Sequence, residues 1–76
     1  MADTPDTRAL LLAAVKRLQR RPHADRGGWS VLRETYGRTA SSHLSEADTL
    51  EAMRDDGVLH FEGWWNYTVT EVQDAD

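Results

Sequence analysis

The sequence has no cysteine, only two prolines and no long apolar run. Without cysteine there is neither a disulfide nor a thiolate metal site, so nothing indicates an oxidising compartment. A membrane-spanning helix needs about 20 apolar residues, whereas the longest run here is Ala9–Val15. That run follows an acidic start instead of the basic segment of a signal peptide, so we expect a cytoplasmic protein with no membrane partner.

Basic residues are almost missing from the second half of the chain. Residues 1–38 hold eight of the nine Lys and Arg against four acids, a net charge of +4, and residues 39–76 hold one Arg against nine acids, a net charge of −8. This is not the uniformly basic pattern of a nonspecific nucleic-acid binder. The domain could present one basic face, or both faces could simply be solvated; the two interpretations are about equally favoured.

The apolar spacing predicts three helices. Thr4 and Pro5 are typical of a helix start, and the apolar face that follows would end before Pro22. A second, short helix is expected after Ser30 as its cap, followed by a loop at residues 37–43. The third helix begins at the S-x-x-D sequence of Ser45 and Asp48 and ends before a glycine.

A change to period-two alternation predicts a β-hairpin after the third helix. Strands are expected over about residues 58–61 and 65–70, with a turn at 62–64. The alternation places Leu59 and Phe61 on one face of the first strand. It places Trp65, Tyr67 and Val69 on one face of the second strand. The predicted core is Leu11, Val15, Leu18, Leu50, Met53, Leu59, Tyr67 and Val69.

This order of elements resembles the winged helix-turn-helix fold over about residues 5–70. The sharpest part is "LSEADTLEAMRDDGVLHFEGWWNYTVT", which is similar to the end of the C-terminal winged-helix domains of minichromosome-maintenance helicases and to small regulators of this fold. The resemblance implies one α+β domain over residues 1–76, in which an acidic tail at 71–76 follows the ordered part. It also implies a possible short strand at "GGWS" (27–30), which would make a three-stranded sheet.

The resemblance implies DNA binding, in transcription regulation or DNA replication. In such domains the third helix enters the major groove, but here its outward face would carry Asp48, Glu51, Asp55 and Asp56. Carboxylates repel phosphates, so we expect this helix to be turned away and the DNA backbone to be contacted by the wing and the basic half. The candidate DNA-binding residues are Lys16, Arg17, Arg20, Arg21, Arg26, Arg33 and Arg38.

The alternative is a protein-interaction module that binds its partner through the acidic third helix and the wing. Its candidate partner-binding residues are Trp64, Asp48, Glu51 and Asp55. Alternation places Trp64 on the opposite face of the hairpin from Trp65. Two roles for Trp64 are equally favoured: it covers the edge of the hairpin, or it is an exposed contact residue at the wing. Trp29 is expected to pack between the helices and the sheet.

Neither a metal site nor an active site is expected. The three histidines lack the spacing of metal ligands. Ser41 and Ser42 precede His43 in a polar stretch, but sequence neighbours of this kind do not make a nucleophile and base. No phosphate-binding glycine motif is present. We therefore predict no enzymatic activity, no cofactor and no small-molecule substrate.

Overall fold

A computed structural model describes residues 3–63 and 66–69. Its elements are α1 (Pro5–Gln19), α2 (Gly28–Tyr36), a 3-10 helix (Gly37–His43), α3 (Glu46–Asp55), β1 (His60–Glu62) and β2 (Asn66–Thr68). The two strands are antiparallel, with Phe61 opposite Tyr67. The α+β class, with three α-helices followed by a hairpin, is therefore confirmed. None of the helices described is long and apolar enough to cross a membrane.

The start of α1 is as predicted. The Thr4 side chain accepts a hydrogen bond from the backbone N–H of Thr7 at 3.1 Å, and Pro5 opens the helix. The far end of α1 contacts the hairpin, because Gln19 Oε1 accepts from the backbone N–H of Val69 at 2.8 Å. Such a side-chain bond between distant segments leaves no periodic signal in the sequence.

The second helix begins earlier than predicted, and the expected strand at residues 27–30 is wrong. Gly27 is the N-cap, and its carbonyl accepts from the backbone N–H of Val31 at 2.9 Å, so "GWS" forms the first helical turn. Among residues 3–63 and 66–69, strand-like bonding next to α2 occurs at Arg26, whose carbonyl accepts from the backbone N–H of Tyr67 at 3.0 Å. Asp25 explains the change, since it accepts from the Gly27 amide at 2.8 Å and turns the chain into α2.

Residues 37–43 form a 3-10 helix instead of the predicted loop. Gly37 ends α2 with φ of +61°, a left-handed conformation that favours glycine. The chain is still helical at Ser45, with φ −63° and ψ −19°, so Ser45 makes no side-chain cap. The predicted capping interaction is therefore wrong; the Ala47 and Asp48 amides instead donate to carbonyls three residues back.

The core lies where α1, α2, α3 and the hairpin meet. All eight predicted core residues are buried, together with Ala14, Val31, Leu32 and Ala40. Phe61 was predicted to share a face with Leu59, but Leu59 is buried and Phe61 is 40% exposed. Leu59 precedes β1 and donates its amide to the Met53 carbonyl at the end of α3, so strand alternation does not link the two side chains.

Candidate interaction surfaces

The outward face of α3 is acidic and open to solvent. Asp48, Glu51 and Asp55 follow one another at helical spacing, and all three are exposed. Asp55 lies 3.3 Å from the guanidinium of neighbouring Arg54. Asp48 and Glu51 have no ion-pair partner within residues 3–63 and 66–69. Two carboxylates of this helix face are thus available to an external cation.

The hairpin extends this face with an aromatic ring. The guanidinium carbon of Arg54 lies 4.9 Å from the centre of the Phe61 ring, within cation–π range. The Phe61 ring in turn lies 4.9 Å from that of Tyr67. We call the combined area the acidic surface: Asp48, Glu51, Asp55 and Phe61.

The ionisation of Tyr67 reflects the same arrangement. Burial is the main reason that the pKa of its hydroxyl is raised above the ordinary value. The positive charge of Arg54 lowers this pKa, and the negative charges of Glu51 and Asp55 raise it. Glu51 and Asp55 of α3 therefore act electrostatically on Tyr67 of the hairpin.

Three of the seven candidate DNA-binding residues contact carboxylates inside the domain. Arg17 Nε lies 2.8 Å from Glu34 Oε2, and Arg21 Nη1 lies 2.9 Å from Glu34 Oε1. The hydrogen bond from Arg17 is the main reason that the pKa of Glu34 is lowered. Arg26 is largely buried, donates to the Tyr67 carbonyl at 2.9 Å and pairs with Glu62. These three cations fasten α1, α2 and the hairpin to one another.

The other four candidates remain at the surface. Lys16, Arg20, Arg33 and Arg38 are exposed. No carboxylate in the described part of the chain lies within ion-pair distance of any of them. Lys16 lies on α1, and Arg20 follows one turn later at its C-cap, so the two share a face. Arg33 belongs to α2 and Arg38 to the 3-10 helix. Over the described residues, the predicted basic group thus divides into three cations paired with carboxylates and four exposed cations without such a partner.

Because Arg17 contacts Glu34, reversing its charge should affect the stability of the fold. We expect Arg17→Glu to lower the free energy of unfolding by about 1 kcal/mol, because it removes an ion pair and places a like charge beside Glu34. Arg20→Glu, at the C-cap of the same helix but without such a contact, should change it by less than about 0.5 kcal/mol. Urea unfolding of the two variants makes the comparison. Equal losses would mean that the Arg17–Glu34 pair contributes nothing.

The prediction that Trp29 is buried is wrong, since the side chain is 49% exposed. It lies beside an open cleft of about 470 Å³ between the end of α1 and α2. Because α2 already includes Trp29, its direction follows helical geometry. Trp29 is two residues before buried Val31, or about 200° around the helix, and therefore faces away from the core.

A cluster that the sequence analysis missed joins the 3-10 helix to α3. The Tyr36 and His43 rings stack 3.6 Å apart at an angle of 5°. Buried Glu46 accepts a hydrogen bond from the Tyr36 hydroxyl, and its other oxygen lies 3.1 Å from His43 Nδ1. Burial and then the Glu46 contact raise the pKa of Tyr36 to about 12. The cluster orients the start of α3. In the sequence, its only signal is the presence of aromatic and acidic residues in this segment.

Trp64, the remaining candidate residue, and Trp65 lie outside the described residues. Over residues 3–63 and 66–69, no group of three His, Asp or Glu side chains is arranged to hold a metal ion. Comparison with known proteins gave no match to a family model, to a characterised protein or to a solved structure.

Proposed function

We propose that this chain is a protein-interaction module of the winged-helix type, which binds a basic partner through the acidic surface. Three helices precede a hairpin in the order that this fold requires. The hydrogen bond from Tyr67 to the Arg26 carbonyl lies where the fold's additional strand would pair. On this assignment α3 is the helix that a DNA-binding relative would insert in the major groove.

The exposed carboxylates of α3 are the observation that carries the proposal. Asp48, Glu51 and Asp55 occupy the side of the helix that would face DNA. Three negative charges there would repel a phosphate backbone. The same charges attract Lys and Arg side chains and accelerate association with a basic protein.

The partner should also bring an apolar side chain. Phe61 is 40% exposed, and Arg54, from the same helix as the carboxylates, lies over part of its ring. Aromatic side chains often dominate the binding energy of an interface. A basic segment with an aliphatic or aromatic residue between its cations would match this surface in both charge and polarity.

DNA binding is the second candidate, and the exposed cations favour it. Lys16, Arg20, Arg33 and Arg38 are exposed, and within the described ranges no acidic side chain pairs with them. Contacts from such residues would go to the DNA backbone and would weaken steeply with rising salt. The acidic surface would have to point away from the duplex.

Neutralising α3 should affect the two kinds of binding in opposite directions. The variant Asp48→Asn, Glu51→Gln, Asp55→Asn should bind a labelled Lys- and Leu-rich peptide about tenfold more weakly than the parent, if each exposed ion pair contributes about 0.5 kcal/mol. Affinity for a short DNA duplex should stay equal or rise, because repulsion is removed. Fluorescence polarisation at low salt measures both.

The matched control neutralises Glu71, Asp74 and Asp76, which changes the net charge equally but lies outside the described residues. If the protein uses the acidic surface, the control should retain most of its peptide affinity. Equal losses in the two variants would indicate attraction by net charge alone and would contradict the proposal. Tight duplex binding together with no peptide binding would favour the second candidate.

A further inference from the structure

A cleft beside Trp29 forms a second candidate site, which shares no residue with the acidic surface. It is shallow and open to solvent, with a volume of about 470 Å³. It lies between the end of α1, the following loop and α2. Its lining consists of Leu18, Arg21, Ala24, Asp25, Trp29, Ser30, Arg33 and Glu34.

Core packing does not require a tryptophan at position 29. The core cluster is formed by other side chains, and about half of the Trp29 surface remains in solvent. The largest apolar side chain of α2 therefore keeps a large part of its broad flat ring accessible. Such an exposed ring at the wall of a cleft can stack on a planar ligand.

Arg33 supplies the available positive charge in the cleft. It lies four residues after Trp29 and so on the same side of α2. Arg21 is engaged by Glu34, which also binds Arg17. Asp25 accepts from the Gly27 amide. Arg33, by contrast, pairs with no carboxylate in residues 3–63 or 66–69, so its guanidinium is available to an external anion.

We propose that this cleft binds a nucleotide unit of single-stranded nucleic acid, with the base stacked on Trp29 and a phosphate bound by Arg33. An aromatic platform beside a cation is the combination that single-strand binding sites use. A duplex cannot bind in this way, because its bases are stacked inside the helix. The groups required are a planar base and an anion about one helical turn away.

The test measures the binding of a labelled deoxythymidine oligomer of about ten nucleotides to the full chain. Trp29→Ala should weaken binding about tenfold, as removal of a stacking residue does elsewhere. Trp29→Phe keeps a ring and should retain most of the affinity. Arg33→Ala should weaken binding by a similar factor and reduce its salt dependence. Thermal melts of all variants check that each remains folded.

An exposed residue outside the cleft provides the control. Leu10→Ala removes an apolar side chain that is 51% exposed. It should leave oligomer binding unchanged within about twofold. Loss of affinity in Leu10→Ala equal to that in Trp29→Ala would overturn the proposal, because binding would then not depend on the cleft.

Competition identifies the source of the nucleotide. If unlabelled thymidine monophosphate displaces the oligomer at comparable concentration, the cleft binds free nucleotides; if it competes only weakly, the cleft binds a strand. Either result supports a nucleotide site. Failure of both compounds to bind, or unchanged affinity in the folded Trp29→Ala variant, would overturn it.

Discussion

Leu50→Ala is expected to lower the free energy of unfolding by about 2–5 kcal/mol. Leu50 is completely buried in the middle of α3, within the single core cluster. Truncation removes apolar contacts and leaves a cavity that the packed helices can fill only in part. A domain this small has a total stability of about 5–10 kcal/mol, so the variant should unfold at much lower urea concentration.

Leu44→Ala is the matched control for Leu50→Ala. Leu44 lies just before α3 and is 57% exposed, so its truncation should cost less than about 0.5 kcal/mol. Urea unfolding followed by circular dichroism compares the two variants. Equal effects, or a loss below about 0.5 kcal/mol in Leu50→Ala, would show that α3 does not pack on the core as described.

Thr49→Val is expected to raise the free energy of unfolding by about 1–3 kcal/mol. Thr49 is 1% exposed, and its hydroxyl oxygen has no hydrogen-bond partner within the described part of the chain. Burying a hydroxyl without a partner costs free energy. Valine has nearly the same shape and removes that cost without opening a cavity.

Thr35→Val should have the opposite sign, which makes it a useful control. The Thr35 hydroxyl donates to the Val31 carbonyl at 2.8 Å, so the substitution removes a hydrogen bond that is made. We expect a loss of about 0.5–1.5 kcal/mol. Thermal melts report both variants. Destabilisation by Thr49→Val would mean that its hydroxyl is satisfied in solution.

Periodic patterns predicted the core well. The helical spacing of Leu11, Val15 and Leu18 identifies the buried face of α1, and Leu50 and Met53 do the same for α3. Only the interior of the molecule can accommodate an apolar stripe of this kind, so its location follows from the sequence alone. All of these residues are buried.

The residues at which helices begin were harder to predict, and the start of α2 decides where Trp29 lies. Because the Asp25 side chain accepts from the Gly27 amide and turns the chain there, α2 starts at Gly28, before the expected cap at Ser30, and directs Trp29 to the surface. Sequence propensity does not distinguish this start from one at Ser30. Trp29, which was predicted to pack between the helices and the sheet, therefore lies at the wall of a cleft.

The exposure of the acidic residues was easier to predict from the sequence than the pairing of the basic residues. Asp48, Glu51 and Asp55 of α3 are exposed, because helical spacing separates them from the buried stripe. The pairing of Arg17 and Arg21 with Glu34 depends on how α1 crosses α2, which no single segment encodes. The sequence therefore identified the acidic helix face but not which arginines stay available.

The most direct test of the acidic surface as the binding site is backbone NMR of the labelled chain, titrated with the Lys- and Leu-rich peptide. We predict that the largest amide shifts will lie at Asp48, Glu51, Asp55 and Phe61, with small shifts along α1. Shifts concentrated at Lys16, Arg20, Arg33 and Arg38, or none on α3 at saturation, would contradict the proposed function.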